Sequence, residues 1–332
     1  MPIISKGEKV LVTGVNGYIA MWTARIFLER GYAVRGTVRA DAKAKFVKDY
    51  FASLGYGDRI EFAIIEDISK SGAFDEVVKD VDGIAHMASP VHSQTGADPE
   101  ETLQPAIQGT VGILESALKY GKQVKRIVVT SSCAAVLPPV TEKPTVYSEL
   151  DWDIVHPEIV KEKGKDAPPL SVYCASKTLS ERAAWEFHEK HKDSSGWDLC
   201  VITPPFPPIH DIPSPSSLNF SLAFWYNAVL SEPPESKAFL IAESNAWADV
   251  RDVALAHVLA LEKPDAGGER IITSAGGYVW QEWLDEANSL LDKPRKLTVD
   301  GYPETTKGEK VHNILYDRTK ERRIFMAVRL HI

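Results

Sequence analysis

The chain has 332 residues, 44% of them apolar and 25% charged, and a formal net charge of −8. That length supports one large core or two smaller ones, and the composition is that of an ordinary globular protein. The negative balance and the absence of a basic run exclude a general binder of nucleic acid or anionic membrane, since both partners demand clustered positive charge.

Residues 1–8 lack the long apolar stretch of a signal peptide and no segment approaches a membrane span, so a cytoplasmic protein is expected. Cys133, Cys174 and Cys200 are too scattered for a disulfide framework or a zinc site. His188-Glu189-Lys190-His191 has no third ligand spaced nearby and reads as a polar helix face, so no metal is expected.

In chain order, residues 8–13 (EKVLVT) predict a first strand and residues 18–30 carry helical spacing. Between them VLVTGVNGYIAMW holds Gly14-x-x-Gly17-x-x-Ala20. Gly14 suits a tight turn and Gly17 a close approach of backbone to a pyrophosphate. The helix opening that includes Asn16, Tyr18 and Ile19 offers unpaired N–H groups and a positive dipole end. A glycine pattern alone is weak; its place between strand and helix makes dinucleotide binding the expectation, against a plain glycine-rich turn.

The next strand, residues 32–38, leads into Arg39, and Lys43 follows one turn later. An acid usually meets a ribose 2′-hydroxyl at this place and arginine a 2′-phosphate. Two cations suit NADPH. Asp41 comes late and leaves NADH as the alternative, and a solvated loop is the plain reading of Arg39 and Lys43.

Further apolar runs at residues 60–66, 83–88, 125–131 and 198–203 alternate with helical periodicity, clearest over residues 99–120 and 171–191. Such alternation predicts an α/β fold, a doubly wound parallel sheet of the Rossmann type. Proline, glycine and serine cluster in residues 204–217, where the chain is expected to leave the sheet. WADVRDVALAHVLALEKP then predicts a capped helix and ERIITS a last strand. The expected organisation is a cofactor domain of residues 1–205 plus about 249–275, with a smaller discontinuous substrate-binding lobe of about 206–248 plus 276–332.

Tyr173 stands four residues before Lys177, so on a helix both can face one cleft. Composition alone yields about one Tyr-x-x-x-basic coincidence, and Tyr316 with Lys320 is a second copy. Setting separates the two. RIVVTSSCAAV ends a predicted strand in Ser131 and Ser132 ahead of the Tyr173 helix, and ligands bind beyond the carboxyl ends of parallel strands. Tyr316 and Lys320 lie in a late charged segment and read as structural. A hydride delivered to a carbonyl carbon leaves charge on the oxygen, which needs a hydrogen bond and a proton. Tyr173 is the expected acid, with Lys177 and the positive nicotinamide of the oxidised cofactor together expected to lower its pKa.

These residues resemble the extended short-chain dehydrogenase/reductase family, most closely the fungal aldehyde, ketone and methylglyoxal reductases, which are related to plant dihydroflavonol and cinnamoyl reductases. The likeness runs from Lys9 to about Lys320. It rests on the glycine turn, Arg39 and Lys43, Glu66-Asp67-Ile68, His86-Met87-Ala88-Ser89-Pro90, Thr130-Ser131-Ser132, Tyr173-x-x-x-Lys177 with Ala183-Ala184-Trp185, and Asp249-Val250-Arg251-Asp252-Val253. The resemblance implies that Ser132 holds the substrate carbonyl and that Asp67 and Ile68 lie beside the adenine. Ala88, Ser89 and Pro90 would border the nicotinamide, and Pro204 the nicotinamide and substrate.

The implied reaction is NADPH-dependent reduction of an aldehyde or ketone, such as a 2-oxoaldehyde, by a monomer or homodimer whose partner is a small molecule. Val91, Cys133, Leu137 and Tyr226 are candidate pocket residues by position, with core packing as the alternative; Cys133 and Cys174 also read as small buried fillers. Two departures from the family stand out. Residues 204–210 (PPFPPIH) run about three residues short of the usual proline-to-glycine stretch, and the chain stops at Ile332 where relatives continue into another helix. A nucleotide-sugar epimerase or dehydratase, and a dinucleotide-binding redox sensor without catalysis, are the rival readings.

Overall fold

Short β-branched runs flanked by turns pair side by side when both faces can be covered by helices, which is what the elements of this chain do. The computed structural model describes residues 3–90, 96–137, 143–206, 218, 220–230, 236–290, 300–308 and 311–325. In chain order the elements are β1 (Lys9–Val12), α1 (Tyr18–Glu29), β2 (Ala33–Val38), α2 (Asp41–Ser53), β3 (Ile60–Ile64), β4 (Gly83–His86), α3 (Glu100–Tyr120), β5 (Arg126–Thr130), β6 (Thr145–Tyr147), α4 (Val155–Lys163), α5 (Pro169–His191), β7 (Asp198–Thr203), α6 (Phe220–Leu230), α7 (Lys237–Ala242), β8 (Ser244–Trp247), α8 (Val250–Glu262), β9 (Arg270–Ile272), β10 (Gly276–Val279), α9 (Trp280–Leu290), β11 (Ile314–Tyr316) and α10 (Thr319–Phe325).

Seven strands form one sheet in the order β3-β2-β1-β4-β5-β7-β9, all parallel. The order reverses between β1 and β4, the switch point at which doubly wound sheets bind ligands. Register and pleat sort the core into two layers. Leu11, Ile84, Ile127 and Leu199 pair across β1, β4, β5 and β7, are fully buried, and pack with Ile113 and Leu114 of α3 and Ala184 of α5. One residue on, Val12, Ala85, Val128 and Cys200 face the other way, toward α1, α2 and α8. Each Leu or Ile so removed from water contributes about 1.5–3 kcal/mol.

Outside the sheet, β8 pairs antiparallel with β10 and carries Phe206 in an isolated bridge to Trp247. Phe206, Phe239, Tyr278, Trp280 and Trp283 gather there with α6, α7 and α9 into an aromatic cluster. Two findings cross the expected lobe boundary. β11 pairs with β6, and Ile324 and Phe325 of α10 pack into the main core beside Phe27. No helix among the described residues is long and apolar enough to cross a membrane.

Candidate active site

Gly14 lies in the turn after β1 with φ +64°, and a Cβ there would stand 3.1 Å from the Ala88 Cα, so both backbone shape and space call for glycine. Gly17 caps α1 with no side-chain hydrogen bond, and the first turn holds no acid. The positive end of the α1 dipole faces this turn, with Asn16 and Gly17 exposed and Tyr18 and Ile19 half-buried around it. Gly36 of β2 lies under this loop: a Cβ there would meet Val15 Cγ1 at 2.5 Å.

Arg39 and Lys43 are both exposed past the end of β2. Asp67 feels the charge of Arg39, but its carboxyl is held below its ordinary range mainly by the Ser69 hydroxyl and amide at 2.6 and 2.9 Å. Ile68 beside it is buried against α3, where a Cβ on Gly109 would meet its Cδ1 at 2.8 Å. These residues fit a phosphorylated dinucleotide: a glycine cradle that a Cβ would fill, the positive end of the α1 dipole for pyrophosphate, and exposed cations beyond β2.

The carboxyl end of β4 is tied to the glycine turn through Thr13. Its Oγ1 accepts from the amides of Met87 and Ala88, both at 2.9 Å, so its own proton goes to His86 Nδ1 at 3.1 Å. Burial, and behind it the charge of Lys177, pushes the His86 imidazole down to about 3. Ala88, Ser89 and Pro90 follow, half-buried at the switch point.

Ser132, Tyr173 and Lys177 meet at the next strand end. Ser132 has extended backbone (φ −159°, ψ 153°), and its Oγ accepts from the Ala134 amide at 3.1 Å and lies beside the Tyr173 side chain, whose pKa it pulls down. Tyr173 and Lys177 sit one turn apart on α5, which starts with Pro169 at the position where a missing N–H costs nothing. Lys177 is buried, and that burial pushes its ammonium down to about 8 against the smaller upward pull of Glu181. The expected lowering of the Tyr173 pKa is by Lys177 and the positive nicotinamide together; the protein's own groups by themselves act the other way. Desolvation pushes the phenol up, and Ser132 offsets only part of it, so Tyr173 is a protonated donor at neutral pH.

Other candidates separate. Pro204 is buried and its carbonyl accepts from the Cys133 amide at 2.9 Å, which places it against the serine-bearing turn. Cys133 is buried, its Sγ donating to the Thr203 carbonyl at 3.2 Å inside a cluster with Tyr147, Ile272 and Tyr316. Cys133, Cys174 and Cys200 are all buried thiols, as fillers should be. Leu137 packs partly buried on the Cys133 cluster, Tyr226 is half-buried on α6, and Val91 lies outside the described residues. Tyr316 is on β11 and Lys320 on α10, so the second Tyr-x-x-x-Lys copy shares no helix.

Sequence reasoning missed the buried pair beneath the site. Glu181 of α5 accepts from Arg270 Nε at 2.6 Å, from Ser131 Oγ at 2.6 Å and from Trp185 Nε1 at 3.2 Å. Arg270 also bonds the carbonyls of Ala135, Glu149 and Asp151 and stacks 3.8 Å over the Trp152 ring. A signal was available: an arginine inside the apolar run of ERIITS and a glutamate four residues after Lys177 are charges at core positions, which need partners.

A glycine cradle at the switch point beside a Ser-Tyr-Lys constellation defines a dinucleotide-dependent oxidoreductase of the extended short-chain type. The chain belongs to the NAD dependent epimerase/dehydratase family, whose model matches residues 10–276. It is 36% identical over 280 residues to the ketoreductase azaE of Aspergillus niger, covering 82% of this chain and 80% of that one. It is 34% identical over 290 residues to the NADPH-dependent methylglyoxal reductase GRE2 of Saccharomyces cerevisiae, covering 84% and 81%. Among solved structures, Gre2 of Candida albicans in complex with NADPH superposes with a TM-score of 0.82 at 29% identity, covering 95% of this chain and 92% of that one.

Proposed function

We propose that this chain is an NADPH-dependent carbonyl reductase that converts an aldehyde or ketone to an alcohol, with a 2-oxoaldehyde as a representative substrate. The observation that carries the reading is the placement of Ser132 beside the Tyr173 side chain at the carboxyl edge of the sheet, one helical turn from Lys177 and across the switch point from the glycine cradle. The ketoreductase and methylglyoxal reductase relatives, and the NADPH-bound structure of a relative, support the same chemistry.

NADPH, when bound, supplies the hydride. The N-terminal end of α1 would hold its pyrophosphate, Arg39 and Lys43 its 2′-phosphate, and Asp67 and Ile68 would flank its adenine. Ala88, Ser89, Pro90 and Pro204 border the nicotinamide. Ser132 orients the substrate carbonyl oxygen, and Tyr173 donates its proton there as negative charge develops. Lys177, cationic at neutral pH, stabilises the phenolate left behind, and solvent then reprotonates Tyr173. Leu137, Tyr226 and Val91 stand as candidate substrate contacts.

Purified protein mixed with NADPH and a panel of aldehydes and diketones, followed by loss of nicotinamide absorbance, tests this. Turnover of a carbonyl is the expected result; tight NADPH binding with no turnover across the panel would make the chain a sensor. Sedimentation of the same sample separates monomer from homodimer.

A further inference from the structure

The end of β5 and the turn after it carry four consecutive side chains able to hydrogen-bond, Thr130 to Cys133, and three of them are spent inward. Thr130 Oγ1 meets His257 Nε2 of α8 at 2.7 Å. His257 Nδ1 lies 2.7 Å from the Val253 carbonyl, so it must be the protonated nitrogen, which leaves Nε2 to accept from Thr130. Burial pushes this imidazole down to about 4, so the arrangement holds at neutral pH. Ser131, pointing the opposite way as strand alternation requires, donates to Glu181 of α5 at 2.6 Å. Cys133 donates to the Thr203 carbonyl.

We propose that Thr130 and Ser131 are positioning residues: their opposed bonds to His257 and Glu181 clamp the carboxyl end of β5 between the two helical layers and so aim Ser132 at Tyr173. Both anchors are themselves immobilised. Glu181 is held by Arg270 and Trp185, and His257 by the Val253 carbonyl, so neither can follow a strand end that drifts. A hydroxyl that must meet a phenol within hydrogen-bond reach loses rate when its backbone wanders by even about 1 Å. The kinetic part of the test rests on the carbonyl-reductase reading; the exchange part does not.

Ser131→Ala and Thr130→Val each delete one bond while leaving the Glu181 to Arg270 pair intact, and Thr130→Ser keeps the hydroxyl. The clamp predicts that kcat falls about tenfold in each deletion, with the NADPH Kd within about twofold of wild type, and that Thr130→Ser recovers kcat. Amide exchange at residues 130–134 should quicken about tenfold in both deletions and stay unchanged in β1 and β4. Unchanged exchange at residues 130–134 overturns the clamp whether or not the protein turns over carbonyls. Wild-type kcat in both deletions overturns it equally. A wild-type protein without turnover, but with the exchange difference, sinks the reductase reading and leaves the clamp standing.

Discussion

Arg39→Ala isolates what decides between the two nicotinamide cofactors. The side chain is exposed past the end of β2 and is only a minor influence on Asp67, so its loss leaves the fold within about 0.5 kcal/mol of wild type. What is lost is a charge-assisted bond to a 2′-phosphate, in the range of about 1.5–3 kcal/mol. Solvent screening at an exposed site favours the lower half, about 1.5–2 kcal/mol, or about tenfold to thirtyfold in Kd. Fluorescence titration of wild type and variant with NADPH and with NADH measures it. The expected result is that loss for NADPH and an NADH Kd within about twofold, with the NADPH loss shrinking as salt is raised. Equal weakening for both cofactors would refute the assignment of Arg39 to the phosphate.

Lys177→Met removes a buried ammonium whose pKa is pushed down to about 8 from 10.5. Below pH 8 the folded wild type bears the full cost of that buried charge, and between pH 8 and 10.5 it sheds the proton and the cost falls. Chemical denaturation should therefore find the variant more stable by up to about 3 kcal/mol near pH 7, a gap that narrows toward pH 10; a gap that widens with pH contradicts the burial argument. Arg270→Met strands the Glu181 carboxylate, which is 1% exposed, and should lose about 3–5 kcal/mol of unfolding free energy, most of it recovered in the Arg270→Met/Glu181→Met double variant. Cys133 and Cys174 are buried thiols pushed up by desolvation, Cys174 to about 12, so native protein should keep full activity through alkylation at pH 7.5. Rapid inactivation would mean the thiols reach solvent.

The sheet was legible because each strand is a short apolar run between turn residues, and because a parallel sheet buries both faces of its strands. The Tyr173 helix was legible for the same reason as the glycine turn: local spacing carries the geometry. Long-range pairings were not. Thr145–Tyr147 and Ile314–Tyr316 are three-residue segments far apart in the chain whose union as β6 and β11 leaves no local pattern. Glu181 and Arg270 were read past because charge normally marks a solvated face, and only the fold shows that they neutralise each other beneath the site. The desolvation that raises the Tyr173 phenol was not legible, because a sequence shows which charge can be near but not how much water burial removes.

Tyr173→Phe tests the central claim most directly, since it deletes the phenol oxygen that meets Ser132 and leaves the ring in place. Measured side by side, carbonyl turnover should fall by about 10²–10⁴-fold while the NADPH Kd is unchanged. Wild-type turnover in that variant would contradict the account.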